Sequence, residues 1–439
     1  MTRASFRTNA GGEAIGYDPF SATVRANPFP YYAQLREQAP VHRLPGGLWV
    51  LSRYEDCAFA LRNPDLFSSS GTRLMMMGGL QAGMMADIET LREARRRKQR
   101  ELGLPPLLGT DEGWNENSLI ALDPPAHEKI RHIVNRGFTP RQIQRLAPRV
   151  QAITDRTIDR ILARGDRFDL TADFSMPIPL EVMAELLGVD AADGANFRRW
   201  SEMVIQGITG SVAVEGPDPL LRTLHEVAEY FLAVIEDRRK HPKDDLISLL
   251  VAAEESERLS PVETVNFAIL LLAAGNETTT HLIDNAIATI LDHPDQLASL
   301  RADPSLVEGW VEETLRYEGP VQLAFRQATR DVELHGHTIA KGDVVIVLFG
   351  AANRDPAMFP DPERYDIRRD AQGHMGFGFG VHFCLGASLA RLEANVALET
   401  LLRRLPGLER TRATVDRFDS FLVRGPTCLP LRYERKAAR

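Results

Sequence analysis

A loop near the C-terminus, Phe377-Gly378-Phe379-Gly380-Val381-His382-Phe383-Cys384-Leu385-Gly386-Ala387, presents one cysteine in a setting that suits a metal. Gly378 and Gly380 let the backbone turn with positive φ and pass close to a flat ligand. Cys384 is expected to open an apolar, well-patterned helix that runs to about Leu405. The free N–H groups and partial positive charge of a helix start favour an ionised sulfur. A lone thiolate with no second cysteine nearby suits an axial haem ligand, whereas zinc needs more ligands than this loop offers. The competing reading is a buried free cysteine behind a glycine turn.

Three further groups of side chains carry chemistry. In Ala273-Ala274-Gly275-Asn276-Glu277-Thr278-Thr279-Thr280 a carboxyl stands next to a row of hydroxyls. Glu313 and Arg316 share a helix face at i, i+3, although Glu89/Arg92, Glu93/Arg96 and Glu236/Arg239 match the same spacing. His127 and Arg131 lie one turn apart, spaced to meet a carboxylate.

The elements that must position these groups are helices. Ser260-Pro261-Val262-Glu263 reads as a capping box with proline at the first helical position, so a long apolar helix should run from there to about Leu291, before His293-Pro294. Its centre is the Ala273 to Thr280 stretch, where Gly, Asn and Thr are each worse than Ala by up to about 1 kcal/mol. A weak turn there would open a groove in which side chains or water replace a backbone hydrogen bond; threonines that bond back to carbonyls are the alternative. Leu270, Ala274 and Thr278 fall on one face of this helix. A second capping box, Ser305-Leu306-Val307-Glu308, is expected to open a helix that reaches Arg316 and breaks at Gly319-Pro320. A third helix follows Asp123-Pro124-Pro125 and carries His127 and Arg131.

The loop around Cys384 resembles the haem-binding loop of the cytochrome P450 superfamily, FxxGxxxCxG, at every fixed position from Phe377 to Gly386. Ala-Gly-Asn-Glu-Thr-Thr resembles that family's oxygen-binding segment, and Phe359-Pro360-Asp361-Pro362-Glu363-Arg364-Tyr365 its PERF segment. The likeness runs over nearly the whole chain and is weakest between Gly71 and Asn117. It implies a mainly α (α+β) fold in which a large helical lobe and a smaller β-rich lobe enclose a buried haem b. It implies Cys384 as the iron ligand, Glu277 and Thr278 as an acid–alcohol pair that delivers protons, and Ala274 beside the cofactor. His127, Arg131, Arg326 and His382 would hold the haem propionates, and Arg364 would complete a buried network with Glu313 and Arg316.

The chain has 439 residues and a net charge of −8. That length would allow two or three domains, but no linker or repeat divides it, and one unit spanning residues 1–439 is the simpler expectation. The charge argues against nucleic acid as the main partner. The longest apolar run, residues 267–275, is short of the roughly 20 residues of a membrane span, and no signal-like segment opens the chain, so a cytoplasmic, monomeric protein is expected. Cys57, Cys384 and Cys428 are too sparse for a disulfide framework. With no G-x-G-x-x-G after a strand, no C-x-x-C pair and no P-loop, electrons for an oxygenase would come from separate proteins, a ferredoxin or flavodoxin with its reductase.

By the same resemblance, residues 71–117 correspond to the family's long variable segment over the substrate; a mobile loop without substrate contact is the alternative. Met75, Met76, Met77, Met84 and Met85 crowd its first half and suit an irregular apolar ligand; the charged run 86–102 reads as a solvated helix. The expected function is monooxygenation of a lipophilic small molecule of terpenoid, steroid or fatty-acid type. Leu270, Leu271, Val321, Leu323, Phe325, Phe421 and Leu422 would line its pocket. Peroxide-driven oxidation, coupling or rearrangement on the same fold is the alternative, and a haem-binding sensor without turnover a third; neither needs Glu277 and Thr278.

Overall fold

A computed structural model describes residues 15–76, 88–105, 118–189, 191–209, 218–257 and 259–435. The expected capping box forms. Ser260 Oγ accepts the amide of Glu263 while the Glu263 carboxylate accepts the amide of Ser260, and the helix Pro261–Asp292 runs on for 32 residues, about 48 Å at 1.5 Å per residue. Its residues are buried almost all round, as a helix through the middle of a core must be. Helices Pro177–Leu186, Gly194–Thr209, Asp218–Lys240, Val307–Tyr317 and Ala387–Arg404 pack around this central helix.

The smaller lobe is built on a five-stranded sheet in the order Val41–Arg43, Trp49–Leu51, Val344–Leu348, Leu323–Ala328, Phe67–Ser68. Val344–Leu348 is buried at every residue and pairs parallel with Trp49–Leu51 and antiparallel with Leu323–Ala328. Four β-branched residues followed by Leu348 suit such a central strand. A separate apolar cluster that includes Trp49, Cys57, Phe67, Val345 and Val347 fills this lobe, while the main cluster lies among the helices.

Two expectations change at the helix Val307–Tyr317. The Ser305 capping box does not form, because Asp303 takes the Ser305 amide and hydroxyl and caps a short 3₁₀ turn, Pro304–Leu306, that precedes the helix. In the buried ion network Arg364 is not the third member. Its side chain points outward, 66% exposed, 3.7 Å from Asp366, and only its carbonyl reaches Arg316. Arg369 takes the place, with Nε 3.3 Å from Glu313 Oε1. Glu313 and Arg316 form a two-pronged pair, with Nε and one terminal nitrogen each 2.7 Å from a carboxylate oxygen.

Within the variable segment, Met75 and Met76 are buried on the helix Ser70–Met76; Met77, Met84 and Met85 lie outside the described residues. The charged run forms the helix Ile88–Glu101, tied by Lys98 to Asp218 at 3.0 Å. Among the described residues no helix is long and apolar enough to cross a membrane.

Candidate active site

Between the lobes lies a cavity of about 380 Å³, lined on one wall by the central helix and on the other by the Cys384 loop. In that loop Gly378 and Gly380 adopt φ of 68° and 70°. At Gly380 a Cβ would also sit 2.3 Å from the carbonyl of Leu61, so a bare backbone lets the loop press against the helix Tyr54–Arg62. Cys384 lies just ahead of its helix rather than in it: the helix starts at Ala387 behind Gly386, and the Cys384 amide donates to Phe377 O at 2.9 Å. The thiol still faces the positive end of that helix. Burial pushes it up, while the Gly386 amide and the guanidinium groups of Arg131 and Arg391 pull it down.

One edge of the site gathers the cationic and imidazole residues expected from the sequence. His127 and His382 stand ring to ring at 4.3 Å, and His382 Nε2 lies 2.8 Å from Ser69 Oγ. Burial, reinforced by Arg326, depresses His382 to about 3; burial, reinforced by Arg131, depresses His127 to about 4. Both His127 ring nitrogens are buried without a hydrogen-bond partner. Arg326 is buried too, and the hydrogen bond it makes is to its neighbour's carbonyl, Phe325 O; burial lowers it to about 10. Arg131 donates to Asn135 and to Phe383 O.

Unsatisfied imidazole nitrogens and a buried guanidinium beside one thiol describe a site for carboxylates next to a metal. Among the described residues no three His, Cys, Asp or Glu side chains stand close enough to hold a metal by themselves. The donor set therefore fits a metal that brings its other ligands with it, and haem, with two carboxylates, meets both requirements.

On the opposite wall Ala274, Gly275, Thr278 and Thr279 face the cavity. The helix is unbroken here. Thr278, Thr279 and Thr280 each donate to the carbonyl four residues back, Thr278 to Ala274 O at 2.7 Å, which is the alternative weighed against an open groove. Glu277 does not line the cavity; its Oε1 lies 3.6 Å from His281 Nε2 on the neighbouring face. Leu270, Leu271, Val321, Leu323, Phe325 and Leu422 line the cavity. Phe421 does not; its ring packs edge-on against Phe20 and Phe325.

Several lining residues escaped the sequence reading. Phe138, Met183, Phe267 and Phe349 are core-type residues whose apolarity does not distinguish a cavity wall from a packed interior. Arg391 places its guanidinium 4.6 Å over the Phe377 ring and is anchored on Glu312. Its position seven residues beyond Cys384, early in the helix Ala387–Arg404, is the signal that could have found it. Glu393, buried on the same helix with Oε2 unpartnered, does line the cavity, which Arg391 does not.

Comparison with known proteins agrees with this geometry. The family model described as Cytochrome P450 matches residues 217–407. The chain is 37% identical over 445 residues to the cytochrome P450 monooxygenase PikC of Streptomyces venezuelae, covering 99% of this chain and 98% of the relative. Among solved structures, the cytochrome P450 CYP109Q5 from Chondromyces apiculatus superposes with a TM-score of 0.81 at 40% identity, covering 97% of this chain and 100% of that one. The myxobacterial cytochrome P450 CYP267B1 in complex with myristic acid gives a TM-score of 0.80 at 38% identity, covering 95% of this chain and 99% of that one.

Proposed function

The chain belongs to the cytochrome P450 family and is a haem b monooxygenase, and on that premise we propose that it hydroxylates a lipophilic small molecule with electrons from separate carrier proteins. The carrying observation is the cavity itself. Its walls are almost wholly aliphatic and aromatic, with Cys384 at one end and Thr278 at the other. An apolar ligand gains about 25 cal/mol for each Å² it buries against such walls. A fatty-acid or steroid-like substrate fits this lining, and the myristic-acid complex of a relative supports the class.

In this reading Cys384 would hold the haem iron through its thiolate, and Arg131, Arg326, His127 and His382 would hold the haem carboxylates. Haem b, when bound, supplies the redox chemistry that activates dioxygen. The protein's part is to hold the substrate, exclude water and deliver protons. Thr278 presents a hydroxyl to the cavity, its orientation set by the Ala274 carbonyl. Glu277, one residue earlier, recharges that hydroxyl by way of water. A ferredoxin or flavodoxin would dock beside Cys384, where Phe383 is exposed and Arg136 and Arg141 stand at the surface.

The test is a screen of fatty acids, steroids and terpenoids for compounds that turn the ferric protein high-spin, followed by product analysis with a ferredoxin, its reductase and NADPH. The expected hit is apolar, and its turnover falls as salt rises, because screening sets in beyond about 8 Å at physiological ionic strength. Turnover with NADPH and this chain alone, or binding confined to charged ligands, would overturn the reading.

A further inference from the structure

Three titratable side chains follow one another along a face of the central helix that turns away from the cavity, Glu277, His281 and Asp284, at i, i+4 and i+7. His281 and Asp284 are buried, at 4% and 0% exposure. His281 Nε2 lies 3.6 Å from Glu277 Oε1, and Nδ1 lies 4.0 Å from Asp284 Oδ2. Neither ring nitrogen has a hydrogen-bond partner, and neither does Asp284 Oδ1. Asp284 Oδ2 accepts the Thr171 hydroxyl at 3.0 Å. The Thr171 amide in turn donates to Asp169 Oδ1, on a half-buried residue of the strand Arg167–Asp169.

The surroundings do not account for an imidazole here by packing alone. Phe418 lies 5.9 Å from the His281 ring, and the backbone at Gly425 comes so close that a Cβ would stand 2.2 Å from Nδ1. A residue boxed in this way could be apolar, yet the position holds a histidine whose two ring nitrogens each lie within 4.0 Å of a carboxyl oxygen. Buried polar atoms are normally paired, and contacts that complete only when a site is working are often long beforehand.

We propose that Glu277, His281 and Asp284 form a buried proton relay that recharges Glu277 from the side of the strand Arg167–Asp169. The inference rests on the reading of Glu277 and Thr278 as the proton-delivering pair and deepens it. His281, with its proton on Nε2, passes it to the Glu277 carboxylate while Nδ1 takes the proton of Asp284. The Asp284 carboxylate regains a proton through the Thr171 hydroxyl, which takes its replacement from water. One proton enters for each that leaves and no electrons move; the starting tautomer returns when Nδ1 gives up its proton to water and Nε2 takes one from water. Asp284 is suited to donate near neutral pH, because burial raises its carboxyl to about 7 against the opposing pull of His281, with Asp169 across from it adding to the rise. Thr171 and Ser175 are the hydroxyl residues that face it from the neighbouring turn.

The test uses the haem-loaded enzyme in two ways. In the ferrous carbon monoxide form labelled with ¹⁵N-histidine, the His281 signals are those missing in His281→Phe. Their shifts and titration should change in both Glu277→Gln and Asp284→Asn; signals untouched by either substitution would overturn the relay. In reconstituted turnover, His281→Phe, His281→Gln and Asp284→Asn should bind substrate with the parent's spin shift. They should lower product formation by roughly tenfold, less than the roughly 100-fold a directly acting acid contributes, with the missing electrons recovered as hydrogen peroxide. If Glu277→Gln uncouples the enzyme and the other three do not, the relay is wrong and the acid–alcohol pair stands. If Glu277→Gln leaves coupling intact, the pair and the relay both fail. Should His281→Phe not fold, His281→Gln and the isosteric Asp284→Asn carry the decision.

Discussion

Replacing Glu313 by alanine should remove a large part of this protein's stability without touching its chemistry. The buried carboxylate accepts two N–H groups from Arg316 at 2.7 Å, the Asp366 amide at 2.9 Å and Arg369 Nε at 3.3 Å. Alanine would leave the Arg316 guanidinium, 1% exposed, with the carbonyls of Asn353, Pro362 and Arg364 and without its counter-charge. Removing one partner of a buried ion pair costs about 3–5 kcal/mol, against a total stability of about 5–15 kcal/mol. Arg369→Ala removes one charged hydrogen bond and should cost about 1.5–3 kcal/mol. Arg364→Ala removes a loose, exposed pair and should cost about 0–1 kcal/mol. The three variants, expressed side by side, would be compared by soluble yield, haem absorbance per protein and thermal unfolding, with the order Glu313→Ala worst and Arg364→Ala nearly neutral. An Arg364→Ala variant as damaged as Arg369→Ala, or a Glu313→Ala variant that unfolds with the parent, would refute the network as drawn.

Cys384→Ser should abolish the red-shifted band of the ferrous carbon monoxide form, and a retained band would remove Cys384 as the ligand. Thr278→Ala should bind substrate as the parent does and consume NADPH in the reconstituted system, but divert electrons from product to hydrogen peroxide; unchanged coupling would reduce Thr278 to a helix residue. Burial raises Glu393 from 4.5 to about 8, so the folded chain holds a proton there that the unfolded chain has already released. Stability from this group is full below about pH 4.5 and is lost as pH rises through about 8. Glu393→Gln should therefore gain in urea midpoint relative to the parent between about pH 5 and 9, and a difference that does not vary with pH would contradict the buried acid.

Where local chemistry decides the structure, the sequence was readable. The capping box at Ser260, the positive-φ glycines of the Cys384 loop and the spacing of Glu313 and Arg316 each encode their own geometry within a few residues. The Ser305 box failed locally, to Asp303 two residues upstream; the other failures lie where a choice is made by distant packing. Arg364, Arg368 and Arg369 sit in one turn-rich segment, and which of them faces Glu313 depends on the path set by Asp361, a non-glycine residue at φ of 47°. Phe421 and Leu422 are equally apolar neighbours in a bend held by the Ser420 hydroxyl, and the Phe20 ring claims the first. Nor did helical periodicity mark His281, Asp284 or Glu393 as unusual, since a polar residue in an apolar pattern looks the same whether it is paired or stranded. The sheet order was illegible because its strands come from both ends of the chain.

That last property bears on how the protein is made. Leu51 finds its parallel neighbour only at Val347. With a ribosome adding about 5–20 residues per second, the roughly 300 residues between them take on the order of 15–60 s to emerge. During that interval the hairpin of Val41–Arg43 and Trp49–Leu51 stands alone, and an isolated two-stranded hairpin is marginal at best in water. Val50 and Leu51, both fully buried in the finished protein, are then uncovered, with the outer edge of Trp49–Leu51 open to any passing strand. Nascent chains stalled before Val344 should therefore be the ones that engage chaperones and aggregate, and release from that hazard comes only when the strand Val344–Leu348 has left the exit tunnel.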